Sequence, residues 1–399
     1  MSAGNIAVAQ PGADEDAPRI SLLTFAPGEI YWQRFGHNAL LVRDADGRDA
    51  RVYNYGIFDF QQKNFFLNFA RGRMLYRVDE TPLIATLNQY AAEGRWVIEQ
   101  ELALDPAQRR ALTAFLATNA LPQNAEYRYD YFVSNCSTRV RDALDQALGG
   151  QIKAQLQNKP APISYRAEVL QLMAPEPTLM FGMDLGLGAV VDAPLDQWQD
   201  GFIPMRLMAA LREVNINPGQ PDQRRLVQIE RELVRVPGIT PEAGGPIVPE
   251  VPPVKTFLLA GLSWALVLVL SAWLMRRSLF AALATGQVLL AGLGGLVLLL
   301  GWFATDHWGM ARNLNLLLLN PLWWLLLPAV LAQFGRRPRA RAATGIWVLG
   351  LFALASLPGL YLSEQNNAHS IAVLLPAQLT LLLLLFRRNQ GARRSGSGF

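Results

Sequence analysis

The distribution of apolar residues divides the chain in two. Up to about residue 236 they occur in short alternating or helical stretches separated by turn residues. After Lys255 they form runs long enough to cross the roughly 30 Å hydrocarbon layer of a bilayer. In the first part, 20–25 predicts a strand, Pro27-Gly28 a turn, and 37–43 with 51–55 a hairpin closed at Asp46-Gly47. Residues 105–121 carry apolar positions at helical spacing after an acidic-proline start. Residues 126–132 alternate tyrosines with polar residues like a strand, and 135–148 predict a helix ended by Gly149-Gly150. The Pro- and Gly-rich segment 160–200 is expected to pack irregularly on the core, and 223–234 to form a charged amphipathic helix. Residues 238–253, loaded with proline and glycine and without periodicity, make a linker.

These elements predict an α+β extracytoplasmic domain followed by an all-α transmembrane bundle. The expected plan is a flexible start at 1–19, the α+β domain at 20–236, a linker at 237–254, membrane helices within 255–387 and a basic tail at 388–399. Five spans are expected, at 256–275, 279–303, 314–334, 344–361 and 371–386. Arg276 and Arg277 lie in the first break, Arg336, Arg337, Arg339 and Arg341 in the third, and Arg387, Arg388, Arg393 and Arg394 after the last span. Arg312 is the only arginine in the second and fourth breaks. Basic residues collect on the cytoplasmic side, so the C-terminus is expected inside and the N-terminal domain outside. An outward domain needs an export signal, and 1–19 is polar and acidic with no apolar segment, so a signal omitted or removed from this sequence is expected.

The composition changes this picture little. The chain is 51% hydrophobic and 17% charged, as a half-membrane protein should be. Its net charge of +4 reflects the membrane-proximal arginines and calls for no nucleic acid. With one cysteine there is no intramolecular disulfide and no multi-cysteine zinc site, and no clustered metal ligands are visible. No Walker loop, HExxH or dinucleotide fingerprint is present, so neither metal nor cofactor is expected.

The candidate chemistry centres on Cys136. The run Tyr129-Asp130-Tyr131-Phe132-Val133-Ser134-Asn135-Cys136 delivers the thiol to the first turn of a helix, where free backbone N–H groups favour a thiolate and can donate to an oxyanion. His37, whose small neighbours Gly36 and Ala39 would leave its ring accessible, starts a strand of the same domain and is the candidate base. If the hairpin loop is even-numbered, Asn54 shares His37's face and becomes the candidate orienter; an odd loop or a bulge would bring Tyr53 or Tyr55 there instead. Tyr129 and Tyr131 either contribute to substrate or oxyanion binding or simply pack. In the membrane part, His307, Asn313 and Asn315 fall at or near an outward loop and are candidate substrate-binding residues, since polar groups at membrane depth usually face a cavity or the protein interior. Trp308, Trp323 and Trp324 suit an aromatic belt.

The motifs Phe35-Gly36-His37-Asn38-Ala39-Leu40, Tyr53-Asn54-Tyr55-Gly56-Ile57-Phe58-Asp59-Phe60, Asn135-Cys136-Ser137-Thr138-Arg139-Val140-Arg141-Asp142 and Phe181-Gly182-Met183-Asp184-Leu185 resemble the Lnb N-terminal periplasmic domain family. Its membrane-linked members include the Lnb lipoprotein N-acyltransferases, and 305–322 is similar to their membrane part. The wider resemblance is to permuted papain-like folds of the NlpC and lecithin:retinol acyltransferase (LRAT) type, in which the histidine strand precedes the cysteine helix. The resemblance implies a bacterial inner-membrane enzyme with Cys136 as nucleophile, His37 as base and a polar group of the next strand as orienter. It further implies acyl transfer from phospholipid, through a thioester, to the amino group of a lipoprotein. Membrane lipids and a lipoprotein substrate are the implied partners. The competing expectations are a thiol peptidase or amidase acting on cell wall, with water as acceptor, and a non-catalytic membrane scaffold in which Cys136 is buried.

Overall fold

The computed structural model describes residues 16–161, 163–237, 250–274, 277–334, 343–362 and 364–396. Most of the 1–19 segment, the linker at 238–249, and Arg276, Arg336, Arg337, Arg339 and Arg341, on which much of the expected orientation rests, lie outside the described residues. Internal contacts divide the chain into Met1–Ile163 with Pro194–Val248, and Ser164–Ala193 with Pro249–Phe399.

The first unit is α+β. The strands of its main sheet are β1 (Arg19–Phe25), β2 (His37–Arg43), β3 (Ala50–Ile57), β4 (Leu75–Pro82), β5 (Val97–Leu102), β6 (Glu126–Arg128) and β7 (Val227–Val234). They form one seven-stranded sheet in the order β7-β5-β1-β2-β3-β4-β6, antiparallel throughout. Between strands lie α1 (Phe65–Ala70), α2 (Leu83–Ala92), α3 (Pro106–Ala120) and α4 (Cys136–Ala147). The β2–β3 register pairs Ala39 with Asn54, the even-loop alternative, so Asn54 shares a face with His37 two residues before Ala39.

Both faces of the sheet are covered, and alternation assigns the residues to each. Ile20, Leu22, Leu40 and Tyr53 pack with Val140 and Leu144 of α4 and Leu112 and Leu116 of α3. Leu23, Phe25, Ala39, Leu41 and Val52 pack with Leu83, Leu87 and Tyr90 of α2. Asp105 caps α3 in a reciprocal box with Gln108, which explains why the acidic-proline start was a sound helix signal.

Two expectations for this unit give way. The strand over 126–132 stops at Arg128, because Asp130 Oδ1 takes the N–H groups of Phe132 and Val133 at 2.9 and 3.0 Å and turns the chain. The helix over 223–234 is instead dominated by β7, an edge strand beside β5. There Arg231 meets Glu101 at 3.1 Å and Glu99 at 3.6 Å, while Gln100 donates to Glu230 at 2.8 Å. Cross-strand charge pairing at an open edge decides the outcome over the sequence's helical periodicity.

In the second unit, α5 (Tyr165–Met173) and α6 (Pro177–Gly186) replace the irregular packing expected over 160–200. Ser164 caps α5 by accepting from the Ala167 N–H, and Pro177 opens α6 at its first turn. Residues 164–193 also join a different unit from the one the sequence assigns them to. The buried Arg166 donates to Asp192 at 2.9 Å, to Asp184 at 2.8 Å and to the Leu187 and Gly188 carbonyls, and Asp184 lies 3.6 Å from His369 Nδ1.

The long helices of this unit are α7 (Val254–Trp273), α8 (Arg277–Phe303), α9 (Ala343–Leu362) and α10 (Ala368–Gly396). Among the described residues four segments are long and apolar enough to cross a membrane: Val254–Trp273, Arg277–Phe303, Leu314–Phe334 and Ala368–Arg388. A shorter apolar stretch, Ile346–Leu357, lies within α9. Leu314–Phe334 is not a continuous helix. It runs as 3-10 turns at Leu314–Leu317, Pro321–Leu326 and Ala332–Phe334 around a short α-turn at Leu327–Leu331, since Pro321 and Pro328 each remove a donor. The Leu318 carbonyl accepts from Trp323 Nε1 at 2.8 Å and Gln378 Nε2 at 2.9 Å, the kind of side-chain repair that makes broken helix tolerable in a bundle.

Candidate active site

Asn135 makes the helix that presents Cys136. Its Oδ1 accepts from the Thr138 N–H at 2.9 Å, its own N–H donates to Thr138 Oγ1 at 2.8 Å, and its Nδ2 donates to the carbonyls of Tyr131 and Phe202, each at 2.9 Å. The box satisfies the third N–H of α4 and leaves those of Cys136 and Ser137 directed at the sulfur. Cys136 is half-buried. Gly56, at φ +90°, has its missing Cβ position 3.5 Å from the Cys136 Cβ and 3.8 Å from the Tyr129 ring, so the strand passes closely beside the thiol in a conformation that favours glycine.

β2 brings the histidine. The N–H of Asn38, the residue after His37, donates to the Cys136 sulfur. Asn38 is itself fully buried and fastens the cysteine helix to the sheet. Its Nδ2 donates to Thr24 Oγ1 at 2.8 Å and to the Leu23 carbonyl at 3.3 Å. Ser137 Oγ lies 2.9 Å from Asn38 Oδ1 and 2.7 Å from the Gly201 carbonyl, sharing its proton between them. The residues that directly follow His37 and Cys136 therefore hold the two elements together.

His37 Nε2 lies 3.2 Å from Asn54 Oδ1. Asn54 Nδ2 donates to Thr81 Oγ1 at 3.0 Å, which fixes the amide so that oxygen, not nitrogen, faces the ring. Thr81 and Thr86 hydroxyls lie 2.9 Å apart, and Thr86 Oγ1 donates to the Pro82 carbonyl at 3.3 Å. In this directional chain the imidazole carries its proton on Nε2 and leaves Nδ1 bare. Phe25 backs the ring at 5.5 Å, and Tyr90 stacks on Phe25 at 4.1 Å.

The electrostatics favour a neutral pair. Burial lowers the His37 pKa from 6.5 to about 4, against the opposing effect of the Asn54 bond and with a contribution from Arg95. Burial pushes the Cys136 thiol up, against the N–H groups of Asn38, Ser137 and Cys136 itself. The expected stabilisation of a thiolate by the helix start is present but is outweighed by desolvation. Tyr129, raised well above its ordinary range by burial and then by the nearby thiolate charge, keeps its phenol proton.

The structure thus gathers Cys136, His37, Asn54 and Tyr129 at one end of the sheet. Tyr131, 39% exposed, lies at the outer edge with its ring 5.8 Å from Tyr129. An open cleft of about 380 Å³ is lined by Ile57, Phe58, Asp59, Gln62, Leu75, Tyr76, Arg77 and Glu126, and its Tyr76 stacks on Tyr129. His307, Asn313 and Asn315 belong to the second unit. His307 is half-buried ahead of a 3-10 turn. Asn313 and Asn315 are buried, and their amides donate to the Leu185 carbonyl at 2.9 and 3.0 Å, with Asn313 also reaching Gly186. These amides cap α6. Asn38, Ser137, Thr81 and Thr86 were not singled out from sequence; only the first two, flanking His37 and Cys136 in the motifs, carried a signal.

The model of the Lnb N-terminal periplasmic domain matches residues 10–171, and that of the Lnb transmembrane domain matches residues 250–386. No curated protein and no solved structure matches the chain. The first match makes the N-terminal domain periplasmic and the second makes the chain a membrane protein. With both domains matched in order along one chain, the protein belongs to the Lnb family.

Proposed function

We propose that the protein is a membrane-bound thiol acyltransferase that moves an acyl chain from a phospholipid, through a Cys136 thioester, to the N-terminal amine of a lipoprotein. Family membership supports a role in lipoprotein N-acylation. The observation that carries the mechanism is the His37–Asn54 contact at 3.2 Å beside a cysteine at the first turn of a helix.

In the proposed reaction, His37 Nδ1 takes the thiol proton as Cys136 Sγ attacks the ester carbonyl carbon. The neutral resting pair makes this a general-base step, without a preformed ion pair. In this reading the Cys136 and Ser137 N–H groups stabilise the oxyanion, with Tyr129 as a further donor. As the intermediate collapses, the C–O bond breaks and the His37 proton passes to the departing lysophospholipid oxygen. The acceptor amine then attacks the thioester carbon and gives a proton to His37. The C–S bond breaks, and that proton returns to Cys136. Asn54 holds the imidazole in the required tautomer throughout.

The histidine-strand-before-cysteine-helix order supports a permuted papain-like reading of the N-terminal domain. The proposed architecture places that domain in the periplasm, a linker at 237–254, five spans within 255–387 and a cytoplasmic C-terminus in the inner membrane, with α9 as the additional span. Intact mass spectrometry of a lipoprotein N-terminal peptide, incubated with the protein and phospholipid, tests the function. An added acyl group that disappears with Cys136→Ala supports it; an unchanged peptide overturns it.

A further inference from the structure

The ring contacts around Tyr129 extend well beyond the thiol. Tyr129 stacks on Tyr76 at 4.2 Å, Tyr76 lies 5.3 Å from Phe58, and Phe58 reaches Phe65 at 6.4 Å. Phe65 is the buried root of α1. The other apolar side chains of this helix face outward: Phe66 is 75% exposed, Leu67 47% and Phe69 44%. Covering such side chains removes apolar surface from water, so a ledge of this kind gains from a partner.

Its chemistry selects that partner. The helix Phe65–Ala70 carries no charge, whereas Lys63 precedes it and Arg71 and Arg73 follow it, all three exposed. An apolar tip bracketed by cations suits an interface of acyl chains below and phosphates above. The same chain has four segments able to cross a membrane, so it is tethered to a bilayer. We propose that α1 and the aromatic ledge behind it insert into the phospholipid bilayer surface, with Lys63, Arg71 and Arg73 on lipid phosphates. The docking stands apart from acyl transfer; its consequence, that lipid ester groups arrive beside Cys136, rests on the function proposed above.

The test uses the full chain in proteoliposomes of phosphatidylethanolamine and phosphatidylglycerol. In a Cys136→Ser background, Phe66→Cys is labelled with an environment-sensitive fluorophore. Ala117→Cys, exposed on α3, serves as the control. The expected result is a blue-shifted probe at 66, quenched several-fold more by nitroxide-bearing lipid than the probe at 117 and shielded from aqueous iodide. Equal iodide access at the two positions overturns the proposal. So does shielding at 66 from both quenchers, which would mean that protein covers the ledge. Because this readout needs no acyl transfer, a lipid-inserted probe in a protein without transferase activity would retain the docking surface and remove the function.

Discussion

His37 and His369 each sit beside a polar partner, and their surroundings differ in kind. His37 contacts Asn54 at 3.2 Å, is half-buried, and stands next to a thiol with backbone donors directed at it. His369 lies 3.6 Å from Asp184, within a buried cluster in which Arg166 donates to two carboxylates and several carbonyls and the nearby amides cap a helix end. The residue types overlap, but the commitments do not. In the first region the donors converge on a thiol; in the second they converge on carboxylates and on the backbone. Buried polar residues in a membrane protein can therefore mark architecture as readily as chemistry, and the direction of their hydrogen bonds distinguishes the two.

Replacing one member of each cluster should separate them. His37→Ala is expected to lower acyl transfer by about 10²–10⁴-fold, the usual share of a positioned general base, while the melting temperature measured by circular dichroism changes little. Arg166→Met is expected to act the other way. It leaves Asp184 and Asp192 buried without their cation and should destabilise the protein by about 3–5 kcal/mol, read as a lower denaturant midpoint, with activity per folded molecule retained. Loss of activity without loss of stability in Arg166→Met would break the distinction.

A smaller effect is expected at the orienting asparagine. Asn54→Ala should cost about tenfold or more in kcat by freeing the imidazole tautomer. Thr81→Val, which removes the next hydroxyl in the chain, should cost only about 1 kcal/mol, the worth of one hydrogen bond, and so produce a several-fold loss. Equal losses in the two variants would mean that the relay, not the asparagine, sets the ring.

The least disruptive probe is pH. The folded-state pKa of His37, about 4, lies below its ordinary value of 6.5. The neutral base therefore persists as pH falls through 6.5, and the acid limb of kcat/KM is expected near 4. The linked stability has the matching sign: it is complete above 6.5 and is lost as pH falls from there towards 4, where the unfolded chain binds a proton that the folded one resists. A limb at 6.5 in protein that remains folded would show a solvated imidazole instead.

The site was legible because its signals are local. Asn135 followed by Cys136 and Thr138 spells a capped helix start, and the even loop between β2 and β3 brings Asn54 to the face of His37. Long-range pairings left no such trace. Thr81 meets Asn54 across a strand pair, and Arg166 finds Asp184 and Asp192 only after α5 and α6 fold together. The misread helix over 223–234 has the same origin, since Arg231 takes its partners from β5, more than a hundred residues earlier. In the membrane part, hydropathy located Leu314–Phe334 but not its breaks, because the side chains of Trp323 and Gln378 compensate for the interrupted backbone.

The most direct measurement is the intact mass of the full chain after incubation with phospholipid and no acceptor. The proposed mechanism predicts a single acyl adduct on Cys136, released by hydroxylamine, absent in Cys136→Ala and strongly reduced in His37→Ala. An adduct that persists in Cys136→Ala, or acyl transfer to a lipoprotein that proceeds without that cysteine, would contradict it.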